Sequence, residues 1–179
     1  MRIPRTKLKA MIRFFCSNTD PNLLGKTKLM KLFYFADFTH VKKFGVPITY
    51  DRYVHLERGP VPSNILNLVN SVIDEPETAL LSDTISVRFV DGRNFQKIIC
   101  LKPFTASDNE YFTERELQTL KDVCQRFSDK NTKYIVEASH GESAWINTKE
   151  PTEIPYSLAA LDNDSKITEE EIKILVSLK

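Results

Sequence analysis

The stretch from about Gly25 to Lys43 constrains the fold of this chain more than any other part of it. Leu29, Leu32, Phe33 and Ala36 recur at helical spacing, and at about 100° per residue Met30, Tyr34 and Val41 extend the apolar face far beyond a stripe. Phe35 and Phe38 fall on the opposite side, among Lys28, Lys31 and Lys42. A helix apolar over so much of its circumference is either central to a core or covered by a partner. Gly45 and Pro47 end it.

Asp37 and His40 lie inside this arc, three residues apart and so in adjacent positions on the helix. A carboxylate there is costly unless something donates to it. Two readings stay open: a structural hydrogen bond that locks the helix to its neighbours, or a polar element of a binding groove. Tyr34, Tyr50, Arg52 and Arg58 are candidate donors.

Around this helix the pattern predicts an α+β fold: a mainly helical single domain with a small antiparallel β hairpin or sheet. A helix is expected over Thr6–Ser17 and a short strand over Ile48–Leu56. Arg58-Gly59-Pro60-Val61-Pro62 reads as a shaped loop, and Ser63 as the cap of a helix reaching about Ile73. Alternation between Asp83 and Leu101, broken by Asp91-Gly92-Arg93-Asn94, predicts a hairpin. Capping boxes at Thr113–Glu116 and Thr168–Glu171 open two further helices, and Thr132 caps a short one ending near Ser139. No linker divides the 179 residues, enough for one domain that buries roughly 70% of its unfolded surface.

A net charge of +1 gives no global field towards nucleic acid or an anionic membrane. Cys16, Cys100 and Cys124 are sparse, odd in number and set among apolar residues, so they read as structural thiols. The amphipathic opening does not read as a signal peptide, and no apolar run approaches the roughly 18 residues of a spanning helix. A cytoplasmic location is the expectation.

Searches for chemistry give little. His40, His55 and His140 have no zinc-ligand spacing; His140 and Glu142 lack further ligands, so no metal is expected. Asp162-Asn163-Asp164-Ser165-Lys166 fails as a calcium loop, with Ile167 at the turn and Lys173 at the twelfth position. Gly25-Lys26-Thr27 lacks the rest of a phosphate loop. Ser139 and His140, as helix neighbours, do not face one another. Neither a catalytic set nor a cofactor is expected. Trp145 follows a polar turn, where it either wedges into the core or anchors an interface.

Three segments together resemble the Panacea domain, the family of SocA-like antitoxins and phage-associated GepA-like proteins. They are Lys28-Leu29-Met30-Lys31-Leu32-Phe33-Tyr34-Phe35-Ala36-Asp37, Arg58-Gly59-Pro60-Val61, and Ser139-His140-Gly141-Glu142-Ser143-Ala144-Trp145. Met30 departs from a commonly polar position, and the 83–101 hairpin looks like an elaboration. The resemblance implies a protein that neutralises a cognate toxin by direct binding, with delivery to a ClpXP-type protease as a further role. The expected surface is the Phe35/Phe38 flank, or a groove near Tyr34, Asp37, Arg58 and His140. Two rivals are a DNA-binding regulator of its own operon and a hydrolase built on His140, Glu142 and Asp37.

Overall fold

The computed structural model describes residues 3–90 and 95–178; the expected hairpin turn, Asp91–Asn94, lies outside the described residues. Two helices open the chain, α1 (Arg5–Ser17) and α2 (Lys26–Phe44). A hairpin of β1 (Tyr53–Leu56) and β2 (Gly59–Pro62) leads into α3 (Ser63–Asp74). A second hairpin, β3 (Ile85–Val90) and β4 (Phe95–Cys100), precedes a 3₁₀ helix at Ala106–Tyr111 and then α4 (Glu114–Phe127). Next come α5 (Thr132–His140), the short α6 (Ser143–Ile146) and β5 (Glu153–Ile154). A 3₁₀ helix at Tyr156–Leu161 and α7 (Glu169–Ser177) complete the architecture, which is mainly helical α+β.

α2 is the axis of the core: fourteen of its 19 residues are buried. The flank expected to remain open is therefore closed. Phe35, 1% exposed, packs on Phe127 of α4 at 4.4 Å, with the Arg126 guanidinium 5.1 Å above its ring. Phe38, also 1% exposed, stacks between Tyr34, Tyr53 and Tyr156. Of the two readings of an all-round apolar helix, the central one holds. Lys28, Lys31 and Lys42, which the periodicity leaves on a polar side, are buried with it.

The sheet has the order β2-β1-β5, antiparallel throughout, with Tyr53 opposite both Pro62 and Ile154. Gly59–Pro62 is thus a strand instead of the expected irregular loop. Two prolines are tolerated because β2 lies at the sheet edge, where a missing N–H interrupts no ladder. β1 begins later than expected, at Tyr53, because the backbone N–H groups of Ile48 and Thr49 bond to the Asp37 carboxylate and Tyr50 has φ 53°. The β3–β4 ribbon forms as expected and joins the body through Ile98, whose N–H donates to the Leu24 carbonyl at 2.9 Å.

Both capping boxes form as expected. Two caps differ. Asp51, not Ser63, holds the start of α3, accepting from the Asn64 and Ile65 N–H groups at 3.3 and 2.9 Å. Asn131, not Thr132, caps α5 by accepting from the Tyr134 N–H. The cysteine reading also changes: Cys16 at the end of α1 and Cys100 at the end of β4 form a disulfide, although 84 residues separate them. Only the fold brings their Cα atoms to 6.0 Å. Cys124 is a buried thiol, and burial pushes it up to about 12. Among the described residues no helix is long and apolar enough to cross a membrane.

Candidate functional site

α2 carries its charged residues into the interior, and each is met differently. Asp37 Oδ1 accepts from the backbone N–H groups of Ile48 and Thr49, both at 2.8 Å. Its Oδ2 accepts from the hydroxyls of Thr49, Tyr53 (2.8 Å) and Tyr156 (3.4 Å). These donors replace the expected Tyr34, Arg52 and Arg58, because the segment after Gly45 folds back over α2. Burial pushes the carboxyl up to about 6, against the pull of its Thr49, Tyr53 and Ile48 hydrogen bonds. His40 does not share this network. Its Nδ1 lies 2.7 Å from the Val46 carbonyl oxygen, and burial lowers its pKa. The structural reading of both residues is the one the geometry supports.

Lys28 and Lys42 have equally full surroundings. Lys28 Nζ donates to the carbonyls of Ser128 and Lys130 at 3.0 and 2.6 Å, closing the C-terminal end of α4. Lys42 Nζ meets Glu142 at 2.9 Å, Asp164 at 3.0 Å and Asp162 at 3.4 Å. Burial alone would depress this ammonium, but the carboxylates, Glu142 foremost, outweigh it and raise its pKa. Glu142, expected at an interface, is therefore an ion-pair partner that ties the α5–α6 turn to α2. Asp162, the first position of the rejected calcium loop, accepts instead from the Ser143 N–H at 2.8 Å.

Lys31 stands apart. It is fully buried, and its Nζ donates to a single partner, the Pro60 carbonyl at 2.7 Å, with no carboxylate in ion-pair range among the described residues. Burial lowers it to about 7. Gly59 makes room for it: a Cβ at that position would lie 2.8 Å from Lys31 Cε and 2.8 Å from Ser139 Oγ. Gly59 also has φ +93°, in the region that glycine alone adopts cheaply. Burial, and then the Lys31 charge, lower the pKa of His140. His140 stacks on Trp145 with ring centroids 4.5 Å apart, and His55 stacks on the same indole at 3.3 Å. His55 Nδ1 lies 2.9 Å from the Thr148 hydroxyl, which fixes the sandwich to the end of α6.

Two adjoining clefts, of about 570 and 390 Å³, open beside Lys31. They share Lys26 and Thr27 of α2 and Glu57 and Arg58 at the β1–β2 tip. The first extends to Phe95 of β4 and Thr132 of α5; the second is walled by Met30, Leu56, Val61 and Leu66.

Of the residues singled out from the sequence, Gly59 and Pro60 lie against Lys31, His140 feels its charge and stacks on Trp145, and Arg58 projects at the cleft rim. Tyr34, Phe35, Asp37, Phe38 and His40 lie in the core. Lys31, His55, Lys26 and Glu57 were not among the expected site residues. Lys31 had a signal, being three residues from Lys28 on a helix otherwise filled with core residues, but lysines on a helix normally read as solvated. The His140, Glu142 and Asp37 of a hydrolase do not converge: one stacks on Trp145, one pairs with Lys42, and one accepts from the β1 side of the core. Among the described residues no cluster of His, Cys, Asp and Glu could hold a metal.

No curated protein and no solved structure matches this chain. A family match does exist: residues 29–146, about two-thirds of the chain, match the family described as antitoxin SocA-like, Panacea domain. That range runs from the first buried leucine of α2 to the last residue of α6, so it takes in Lys31, the Gly59–Pro60 strand and the His140–Trp145 stack. On this match the chain belongs to the SocA-like antitoxin, Panacea domain family.

Proposed function

We propose that this protein neutralises a cognate toxin by direct protein–protein binding, through the surface around the Lys31 cleft. One observation carries the reading. The three segments that resemble the family come together at one buried lysine, and the first two of them line the cleft beside it through Met30, Lys31, Arg58 and Val61. Gly59 and Pro60 lie directly against Lys31, and the Lys31 charge is felt at His140, which stacks on Trp145. The α2 flank no longer competes as a docking surface, since Phe35 and Phe38 are covered. Sequestration in a complex would inhibit the toxin by mass action whenever antitoxin is in excess. The β3–β4 ribbon is an elaboration on the family domain that adds Phe95 and Gln96 to the cleft. This function involves no catalysis and takes place in the cytoplasm, and protease delivery is a compatible second role.

The DNA-binding alternative is weaker. A recognition helix presents one face to base edges, whereas α2 is buried on nearly every side. Co-expression with the product of the adjacent gene tests the proposal. That product should arrest growth alone, be harmless with this protein, and co-purify with it. A product that is harmless by itself and does not co-purify would remove the basis of the reading.

A further inference from the structure

The positive charges around the cleft, Arg58, Lys26 and Lys31, make no ion pair among the described residues. Arg58 is exposed at the tip of the β1–β2 hairpin and forms no ion pair among the described residues. Lys26 donates to the neutral Asn70 side chain at 3.1 Å, and burial lowers its pKa although Asp74 opposes the shift. Lys31 lies at the floor with the Pro60 carbonyl as its one hydrogen-bond partner among the described residues. Two carboxylates, Glu57 and Glu150, line the same space, and neither pairs with these cations among the described residues. The remaining wall is apolar: Met30, Leu56, Val61 and Leu66. Contrast Lys42, which sits among three carboxylates of its own chain. A cation already paired has little to offer a ligand; among the described residues the cleft cations are not paired.

We propose that the paired clefts form the docking groove for an acidic, partly apolar segment of the protein partner. Its carboxylates would sit against Arg58 and Lys26, and its apolar side chains would pack on Met30, Leu56, Val61 and Leu66. Lys31, lowered to about 7 by burial, adds its charge through space only where it is protonated, below about pH 7. Planar, bidentate recognition of a carboxylate suits arginine, so Arg58 is the specificity-determining contact. The two adjoining clefts and their mixed lining fit a peptide better than a small anion, which would leave the apolar wall uncovered. This inference rests on the toxin-binding reading and names the chemistry of the partner at that site.

The test uses the full-length protein and a panel of fluorescein-labelled peptides in which Glu or Asp alternates with Leu, with Lys/Leu peptides as controls. Fluorescence anisotropy should show binding of acidic peptides only, weakened about tenfold or more by Arg58→Glu, a change equivalent to at least about 1.4 kcal/mol. Arg58 is exposed, so this variant should keep the wild-type circular dichroism and melting curve. Lys26→Glu serves as a second variant from another element and should weaken the same peptides. Equal binding of acidic and basic peptides, no binding of either, or unchanged affinity in both variants overturns the proposal. Competition by inorganic phosphate at low millimolar concentration also overturns it, assigning the groove to a small anion. The growth assay separates this failure from failure of the broader reading. If wild type and Arg58→Glu neutralise the toxin equally, the groove is wrong and toxin binding stands. If wild type fails to neutralise, the peptide measurements still decide the groove.

Discussion

Asp37 and Lys31 lie six residues apart on α2, both fully buried and oppositely charged, and the protein treats them in opposite ways. Asp37 has donors at both oxygens: two backbone N–H groups on one, three hydroxyls on the other. These donors come from the segment after α2, from β1 and from the 3₁₀ helix at Tyr156, so a single carboxylate fixes three pieces of chain. Among the described residues Lys31 has one carbonyl and no carboxylate in ion-pair range. A buried ion with a complete set of partners stabilises one arrangement of its surroundings. A buried ion with an incomplete set is a cost to the fold, and costs of this kind gather at functional sites. The closed site and the open site are thus two products of the same helix.

The sharpest way to break this comparison is at its closed end. Asp37→Ala leaves the Ile48 and Thr49 amides without an acceptor, at about 1–3 kcal/mol for each buried group. A loss of about 4 kcal/mol is expected in urea unfolding, a large share of the 5–15 kcal/mol typical of a domain. Asp37→Asn should lose less, because its amide oxygen still accepts from both N–H groups while its NH₂ faces hydroxyls that can reorient. Equal losses in the two variants would mean that the charge, not the acceptor geometry, matters. Next in size is Lys42→Met, which leaves Glu142 and Asp162 facing each other without their cation. The expected loss is about 3 kcal/mol, at the low end for a broken buried ion pair because Asp164 reaches solvent.

The closed site was more legible in the sequence than the open one, for a physical reason. Asp37 on an apolar arc must have donors, so its role could be inferred even though the donors themselves could not. They come from positions 11 to 119 residues away, and only tertiary folding sets such contacts. The capping boxes and the β3–β4 ribbon were legible because their rules act over a few residues. The Gly59–Pro62 strand was not, since two prolines forbid an interior strand but permit an edge, and edge position is a property of the sheet. The Phe35/Phe38 flank was misjudged for a related reason. Periodicity divides a helix into faces but does not count how many neighbours will cover them, and here α4 and Tyr156 cover the second face. The cysteines show the same limit: composition argued for separate thiols, and the fold joined two of them. Lys31 was hidden by the opposite error, that of assuming a helix lysine reaches water.

Gly59 links the comparison to the backbone. Gly59→Ala combines a φ of +93° with contacts of 2.8 Å to Lys31 Cε and Ser139 Oγ. The backbone strain alone is about 1–3 kcal/mol, and the Lys31 side chain must also move. A fall in melting temperature is expected, with loss of the peptide affinity described above. If the melting temperature falls while peptide binding is intact, Gly59 supports the fold but not the groove.

The smallest effect probes Lys31 itself and has a definite sign. Its pKa is about 7 in the folded protein against the ordinary 10.5, so between these values the unfolded chain holds a proton that the native state lacks. Stability must then rise with pH above 7, by up to about 1.4 kcal/mol per pH unit from this one group. The window is cleanest from pH 7 to 9. Above it the Cys124 thiol, raised from 9.0 to about 12, acts with the opposite sign. Below it the lowered histidines titrate. Lys26 and Lys28 are also lowered and slope the same way, so the informative quantity is the difference between two proteins. Lys31→Met keeps the length of the side chain and removes the charge. Its stability relative to wild type, from urea unfolding at pH 7, 8 and 9, should be highest at pH 7 and decline towards pH 9 as wild type gains. A difference that stays flat across this range would mean that Lys31 keeps its proton in the fold through a counter-charge, and the contrast with Asp37 would disappear.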